Sequence, residues 1–165
     1  MYQHITVVDK YDPISGLYYK SISNEEKKAR FSKVLGNKYT SNVAIFNPED
    51  ETFRMLFGEE DIQINLFLFE TGYDEKCMEI KFHDANSHII RNNKQIEKRA
   101  MKDKLLIGLL KEEDMELWTA NRQGEELKFI TVVPKTSSWH IDVKNSKLRV
   151  IDVNDNRFKI ENFDW

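Results

Sequence analysis

The feature of the sequence that most limits its fold is a succession of short apolar segments in the second half of the chain. Turn-forming residues separate them, namely Gly124, Pro134, Asn145-Ser146 and Asn154-Asp155-Asn156. No alternation of strands with crossover helices is visible there, so a doubly wound parallel sheet is not expected. We instead predict a meander of six strands: Leu105–Leu110, Met115–Ala120, Leu127–Val133, Trp139–Val143, Leu148–Val153 and Phe158–Phe163.

The first half of the chain also contains strand patterns. The clearest is a predicted hairpin over Asp61–Phe82 with its turn at Gly72-Tyr73-Asp74-Glu75. A period of two places Ile62, Ile64, Leu66 and Leu68 on one face of its first strand, and Glu79 and Lys81 on the outward face of its second. Other predicted strands are Tyr2–Val8, Leu17–Ile22, Val43–Phe46 and Thr52–Phe57.

Two segments show helical patterns. Ser23-Asn24-Glu25-Glu26 has the form of a capping box that opens a helix, and Gly36-Asn37 is suited to ending it. A second helix is predicted from His83–Asn86 to a point before or within Leu105–Leu110. On a helical wheel, this second segment gathers one apolar arc (Ile89, Ile96, Ala100 and Ile107) and an opposite basic stripe (Arg91, Lys94, Lys98 and Lys102).

Together these patterns predict an α+β fold with a mostly antiparallel sheet. The predicted order is ββα, a β-hairpin block, one amphipathic helix and a C-terminal β-meander, all within a single domain, 1–165. The chain has 165 residues, of which 40% are hydrophobic and 32% charged, a balance typical of a globular domain. Its net charge of −3 provides no overall positive field for nucleic acid or for an anionic membrane.

Composition also bears on location. The longest aliphatic run, Leu105–Leu110, is far shorter than the roughly 20 residues needed to cross a bilayer, so no membrane association is expected. The first residues show no secretory signal pattern. With Cys77 as the single cysteine, no intramolecular disulfide is possible, and a cytoplasmic location is predicted.

One short motif points to catalysis. Glu79-Ile80-Lys81, preceded by Asp61, resembles the acidic residue and Glu-x-Lys arrangement of metal-dependent nucleases of the restriction-endonuclease-like superfamily. The resemblance implies that the two carboxylates hold Mg²⁺ and that the lysine orients or deprotonates a water molecule. The basic stripe of the predicted second helix would suit a phosphate backbone.

The predicted register sets a condition on this nuclease hypothesis. With the turn at Gly72-Tyr73, Asp61 and Glu79 are offset by about four or five residues, or roughly 15 Å along the strands. One metal ion cannot bridge that separation. A bulge or an asymmetric loop is then required, or a different acid such as Asp74 or Glu51.

A second catalytic hypothesis rests on two histidines. His4-Ile5-Thr6 and His140-Ile141-Asp142 both lie on predicted strands. The first is similar to the His-x-Thr elements of two-histidine phosphodiesterases, in which paired imidazoles act as acid and base. The second has Asp142 where that family has a hydroxyl residue.

No cysteine and histidine cluster suited to a metal and no glycine-rich phosphate loop is present in the sequence. The leading prediction is therefore a non-enzymatic interaction domain that acts by surface complementarity as a binder or inhibitor. Its partner is predicted to be a protein, with nucleic acid contacted by Arg91, Lys94, Lys98 and Lys102 as the alternative. A homodimer is possible through a free sheet edge, and no cofactor is expected except Mg²⁺ in the nuclease alternative.

Overall fold

The computed structural model describes residues 9–23, 40–58, 62–83, 88–90 and 96–165. This part of the chain forms strands, turns and irregular segments and contains no helix, so the prediction of an α+β fold is wrong. The strands are β1 (Asp9–Tyr11), β2 (Tyr18–Ser23), β3 (Thr40–Asn47), β4 (Thr52–Met55), β5 (Ile64–Asp74), β6 (Glu79–His83), β7 (Ile89–Ile90), β8 (Leu105–Lys111), β9 (Asp114–Ala120), β10 (Lys128–Val133), β11 (Ser138–Asp142), β12 (Lys147–Asn154) and β13 (Arg157–Asp164).

The larger of the two sheets has the order β1-β2-β3-β5-β8-β9-β10, with β4 paired to β3 and β6 paired to β5. All of its pairings are antiparallel. β3 meets β5 at a single pair of residues, Thr40 and Ile64. This narrow junction lets the β1–β4 part of the sheet fold over the β5-β8-β9 part.

The folded-over sheet encloses the first core. Tyr19 of β2 packs its ring 5.3 Å from Phe67 and 5.1 Å from Phe69, both on β5. Phe57, after β4, meets Trp118 of β9 edge to face at 5.8 Å. Side chains from the two halves of one sheet thus form a continuous apolar layer, as in two sheets packed face to face.

The second sheet covers the other face of β5 and β8. It has the order β13-β12-β11-β7, in which only β7 and β11 are parallel. Its inward residues, which include Ile141 and Leu148, pack against Leu68 and Leu106 of the larger sheet. The described chain therefore has three β layers and two cores, and β5 and β8 are buried on both faces.

The six strands of the predicted meander are confirmed, since β8 to β13 coincide with the six predicted segments to within a few residues, but they form two three-strand meanders in different sheets. The chain changes sheets between β10 and β11. The predicted first helix falls on residues 24–35, and the predicted strand Tyr2–Val8 on residues 2–8; both lie outside the described residues.

The predicted second helix is wrong wherever the structure describes it. Ile89 and Ile90 form the strand β7 beside β11, and residues 96–104 are irregular. Backbone groups of this segment bond to distant partners, because the Ile96 amide donates to the Met78 carbonyl and the Lys102 amide donates to the Glu70 carboxylate. Those partners replace the local hydrogen bonds that a helix requires.

The predicted hairpin exists, but its turn lies further along the chain than predicted. β5 continues through Gly72 to Asp74, and the turn comprises residues 75–78. Glu79 is therefore directly opposite Asp74.

The first strand of the hairpin also differs from the prediction in which residues share a face. Because the pairing of β5 with β8 is irregular between Ile64 and Leu66, Ile62 and Ile64 lie in the first core but Leu66 and Leu68 lie in the second. These four residues therefore do not share one face.

Within the described residues, we find no helix that is long and apolar enough to span a membrane.

We expect Gly108→Ala to lower the free energy of unfolding by about 1–3 kcal/mol, because the added methyl group overpacks the central strand β8. A Cβ at this position would lie 2.6 Å from the Met115 sulfur and 2.8 Å from the Leu66 Cβ. The measurement is urea denaturation. Gly72→Ala is the matched control, since a Cβ there meets nothing within 4 Å. Equal stability of the two variants would contradict the packing inferred around β8.

Candidate functional site

The nuclease motif is placed at the end of the hairpin. Lys81 of β6 brings its Nζ to 3.3 Å from Oδ2 of Asp74, which is the register partner of Glu79. Asp61 lies outside the described residues. The structure thus groups Glu79 and Lys81 with Asp74, one of the two alternative acids that the sequence suggests.

Asp74 has a structural role in this group. Its Oδ1 accepts hydrogen bonds from the amides of Lys76 (2.9 Å) and Cys77 (3.2 Å), which close the turn. The Cys77 amide, together with the Lys81 ammonium, lowers the pKa of Asp74 below its ordinary value. Among the described residues, no group of three or more histidine, cysteine, aspartate or glutamate side chains is placed to hold a metal ion.

The basic stripe is not a helix face in the described residues. Lys98 Nζ lies 3.0 Å from Glu75 Oε1 in an exposed ion pair. Lys102 belongs to the irregular segment before β8. Arg91 and Lys94 lie outside the described residues.

Of the two histidines in the phosphodiesterase hypothesis, only His140 lies among the described residues. His140 lies on β11 with its ring 6.0 Å from that of His88, which itself stacks on Trp139 at 4.4 Å. Burial, and secondarily the neighbouring His88, lowers the pKa of His140. His4 lies outside the described residues.

A buried ionic network, which the sequence analysis missed, joins the layers. Arg122 lies just after β9 and donates from Nη1 to Asp12 Oδ2 at 2.6 Å. Its Nη2 donates to the backbone carbonyls of Glu70 and Lys102, and its guanidinium lies 5.4 Å from the centre of the Phe69 ring. Arg122 and Asp12 are both almost completely buried.

Glu70 carries the network into the second sheet. Its carboxylate accepts two hydrogen bonds from Arg99, at 2.6 and 2.8 Å, and one from the Lys102 amide at 2.9 Å. The indole Nε1 of Trp165 donates to the same carboxylate at 3.1 Å. Burial acts to raise the pKa of Glu70, but these hydrogen bonds and the charge of Arg99 outweigh it and lower the pKa. Because the buried Glu70 carboxylate is already occupied by these partners, we assign it a role in stabilising the fold and not in binding a substrate.

An exposed aromatic ladder lies on the outer face of β1–β4. It consists of Tyr11, Tyr18, Phe46 and Phe53, one residue per strand, and each is the register partner of the next. The ring centres of Tyr11 and Tyr18 are 4.7 Å apart, and those of Tyr18 and Phe46 are 6.4 Å apart. Phe53 remains 68% exposed, and both tyrosines are 46% exposed.

The surroundings of the aromatic ladder are apolar on one side and acidic at one end. Met55 and Ile22, from strands of the same layer, are also exposed. The turn between β3 and β4 carries Glu49, Asp50 and Glu51, all exposed. The sequence analysis did not identify the ladder.

We expect Arg122→Leu to lower the free energy of unfolding by about 3–5 kcal/mol, because it leaves the buried Asp12 carboxylate without its cation. Arg54→Leu is the matched control, since Arg54 and Glu125 form an ion pair with both side chains about half exposed. That variant should lose less than about 1 kcal/mol. Thermal or urea denaturation measures both. Similar losses of free energy in the two variants would show that the buried Arg122–Asp12 pair stabilises the fold no more than the exposed Arg54–Glu125 pair does.

The acid response of Glu70→Gln provides a second check. The pKa of Glu70 is lower in the folded than in the unfolded protein, where it is near 4.5. Ionised Glu70 therefore stabilises the fold above that pH, and this contribution is lost as the pH falls through the folded value. We expect Glu70→Gln to be less stable than the wild type at neutral pH and to lose less stability on acidification below pH 4.5. Parallel stability curves for the two proteins would contradict this assignment.

The chain was also compared with known proteins. No protein-family model matches it, and comparison with curated proteins and with solved structures found no significant match.

Proposed function

We propose that the protein is a non-enzymatic interaction domain that binds a protein partner through the aromatic ladder, acting by surface complementarity as a binder or inhibitor. The observation that carries the proposal is the exposure of Tyr11, Tyr18 and Phe53 in one continuous row across four strands. Scattered apolar side chains on a surface need no explanation, but a contiguous patch is typical of a binding site.

The residue types of the patch favour a protein partner. Tyrosine, phenylalanine and methionine are enriched in protein interfaces, where rigid aromatic rings provide contact area at low entropic cost. The ladder lies on strands rather than on a loop, and the inner face of the same strands is fixed by Tyr19, Val43 and Ile45 in the first core. The exposed rings are therefore held in place before a partner arrives, which reduces the cost of binding.

The charge beside the ladder indicates what kind of protein fits. Glu49, Asp50 and Glu51 form an exposed acidic border where β3 turns into β4. A phosphate backbone would be repelled by this border, whereas a protein with basic residues around an apolar centre would be attracted to it. We therefore propose a protein surface of that composition as the partner and do not favour nucleic acid.

The proposed location is the cytoplasm. Cys77 is the only cysteine of the chain and it is exposed. An exposed free thiol is compatible with a reducing compartment, where thiols are kept reduced.

We expect a photo-crosslinking amino acid at position 53 to form a covalent adduct with one partner protein in extract of the source cells. The same amino acid at position 158 is the matched control, because Phe158 on β13 is 65% exposed and Phe53 on β4 is 68% exposed. Tyr18→Ser should reduce the adduct at position 53, since Tyr18 lies in the same row. Mass spectrometry identifies the adduct, and an excess of unlabelled wild type should compete it away.

Two outcomes would contradict the proposal. The first is an adduct at position 53 that is no more abundant than at position 158 or is insensitive to Tyr18→Ser. The second is cleavage of DNA or RNA in the presence of Mg²⁺ that is lost in Glu79→Ala and Lys81→Ala, which would establish the nuclease alternative instead. An adduct between two copies of this chain would identify the partner as a second copy.

A further inference from the structure

The strand β13 differs from the other edge strands of the two sheets. In the described part of the chain it is the last strand of the second sheet, and all eight of its residues pair with β12 without a bulge or a proline. The other edge strands that the structure describes are shorter: β1, β4, β6 and β7 have two to five residues, and β10 is interrupted by an irregularity and followed by Pro134. Short length, bulges and proline keep sheet edges from pairing, and β13 has none of these three protections.

An apolar patch reaches this edge on the outer face of the second sheet. Ile160 of β13 lies opposite Ile151 of β12, and Phe158 lies opposite Val153. Phe163, at an alternate position, packs against the second core, which places the other four side chains on the face directed away from that core. Phe158, Val153 and Ile160 are 65%, 62% and 40% exposed. The patch therefore continues up to the strand at which another chain could be added.

The charges of β13 have opposite signs in its two halves. Arg157 and Lys159 lie in the first half, and Glu161 and Asp164 lie in the second. Charged side chains on an edge strand oppose self-association when they bring like charges together. An antiparallel second copy of β13 would instead bring its acidic half to the basic half of the first. The edge is thus complementary to itself, as a two-fold symmetric interface requires.

Symmetry restricts the register in which two copies of β13 can pair. A two-fold axis normal to the sheet keeps each side chain on its own face, so directly opposite residues must both have odd or both have even numbers. An axis at Lys159 or at Glu161 would place two like charges opposite each other, which is unfavourable. An axis at Ile160 places Lys159 opposite Glu161 of the second copy, twice by symmetry. It also joins Ile151 and Ile160 of both copies in one apolar row.

We propose that the β13 edge binds a second copy of this chain, which pairs with it antiparallel about a two-fold axis at Ile160. The second sheets of the two copies then form one continuous sheet with four strands from each. A single strand pair makes a small interface, so the dimer is weak and depends on protein concentration. The aromatic ladder belongs to the opposite outer layer, β1–β4, and stays free for its own partner.

This pairing also affects the crosslinking comparison of positions 53 and 158. Phe158 lies opposite Asn162 of the second copy, so a photo-crosslinker at position 158 would join two copies of this chain. Mass spectrometry of the crosslinked peptides distinguishes that adduct from one with the partner of the aromatic ladder. A monomeric protein would overturn the dimer without affecting the ladder, so the two proposals fail independently.

A cysteine at the axis tests the register. In a Cys77→Ser background, we expect Ile160→Cys to form a disulfide-linked dimer on mild oxidation, because directly opposite residues of antiparallel strands have Cα atoms about 4.5–5.5 Å apart. Asn162→Cys is the matched control. In this register its two copies are offset by about four residues, or roughly 13 Å along the strands, which is too far for a disulfide. Non-reducing electrophoresis measures both, and equal linkage of the two variants, or none in either, would overturn the proposal.

Charge reversal tests the contacts between copies. In sedimentation equilibrium of the full chain, the mass should rise with concentration towards twice 19.6 kDa. Lys159→Glu and Glu161→Lys should each weaken self-association by about tenfold, since each places like charges opposite each other at two symmetric positions. A mixture of the two variants should associate at least as tightly as the wild type, because every opposite pair then joins a glutamate with a lysine. The contact between Lys159 and Glu161 within one chain, at 3.1 Å, is lost in both variants and so cannot explain recovery in the mixture.

Lys98→Glu and Glu75→Lys are the matched control, since they reverse charges in another exposed ion pair, at 3.0 Å, that is not part of β13. Alone or mixed, these two variants should associate as the wild type does, and circular dichroism checks that every variant is folded. The proposal is wrong if the wild type stays monomeric at all concentrations. It is also wrong if both β13 variants associate as the wild type does, or if mixing them restores nothing.

Discussion

The guanidinium of Arg122 is the group on which the three-layer arrangement depends. It reaches Asp12 in the turn after β1, the Glu70 carbonyl on β5 and the Lys102 carbonyl before β8. An arginine offers five donors in a fixed planar arrangement, and a buried one is tolerated only when those donors are satisfied. Glu70, whose carboxylate holds Arg99 and Trp165, extends the same restraint to the end of the second sheet. The buried charges therefore add directional contacts between the layers to the non-directional packing of the two apolar cores.

The strands that were predicted correctly are those whose signals are local. β8 to β13 each combine apolar residues with turn residues at both ends, and such patterns do not depend on distant parts of the chain. The segment before β8 shows the opposite case. Ile89, Ile96 and Ile107 have helical spacing, yet each is buried in a different setting. Ile89 lies on β7, which pairs in parallel with β11. Ile96 packs into the second core, and Ile107 lies on the central strand β8. Their common periodicity is therefore a coincidence of three separate environments.

The candidate sites show the same division. Asp74, one of the two alternative acids, lies opposite Glu79 because β5 passes through Gly72 without turning. Asp61 lies outside the described residues, so its place in the group stays a prediction. The aromatic ladder was missed because adjacent tyrosines such as Tyr18 and Tyr19 look equivalent in the sequence. Only the register across four strands shows that Tyr19 enters the core while Tyr18 joins Tyr11, Phe46 and Phe53 outside. Inward and outward faces are properties of the assembled layers, not of one strand.

The network around Arg122 also has a consequence for the order in which the chain acquires its structure. Asp12 and Arg122 are 110 residues apart in sequence, and Glu70 and Trp165 are 95 apart. Closing loops of that length costs entropy before any contact is gained, and proteins dominated by such contacts fold slowly. A hairpin such as β8–β9 needs only local contacts, but the carboxylate of Asp12 cannot be buried as an ion pair until Arg122 is in place. We therefore expect the first layer to close only after β9 and Arg122 have been synthesised, so that consolidation of this protein is a late event that involves most of its length.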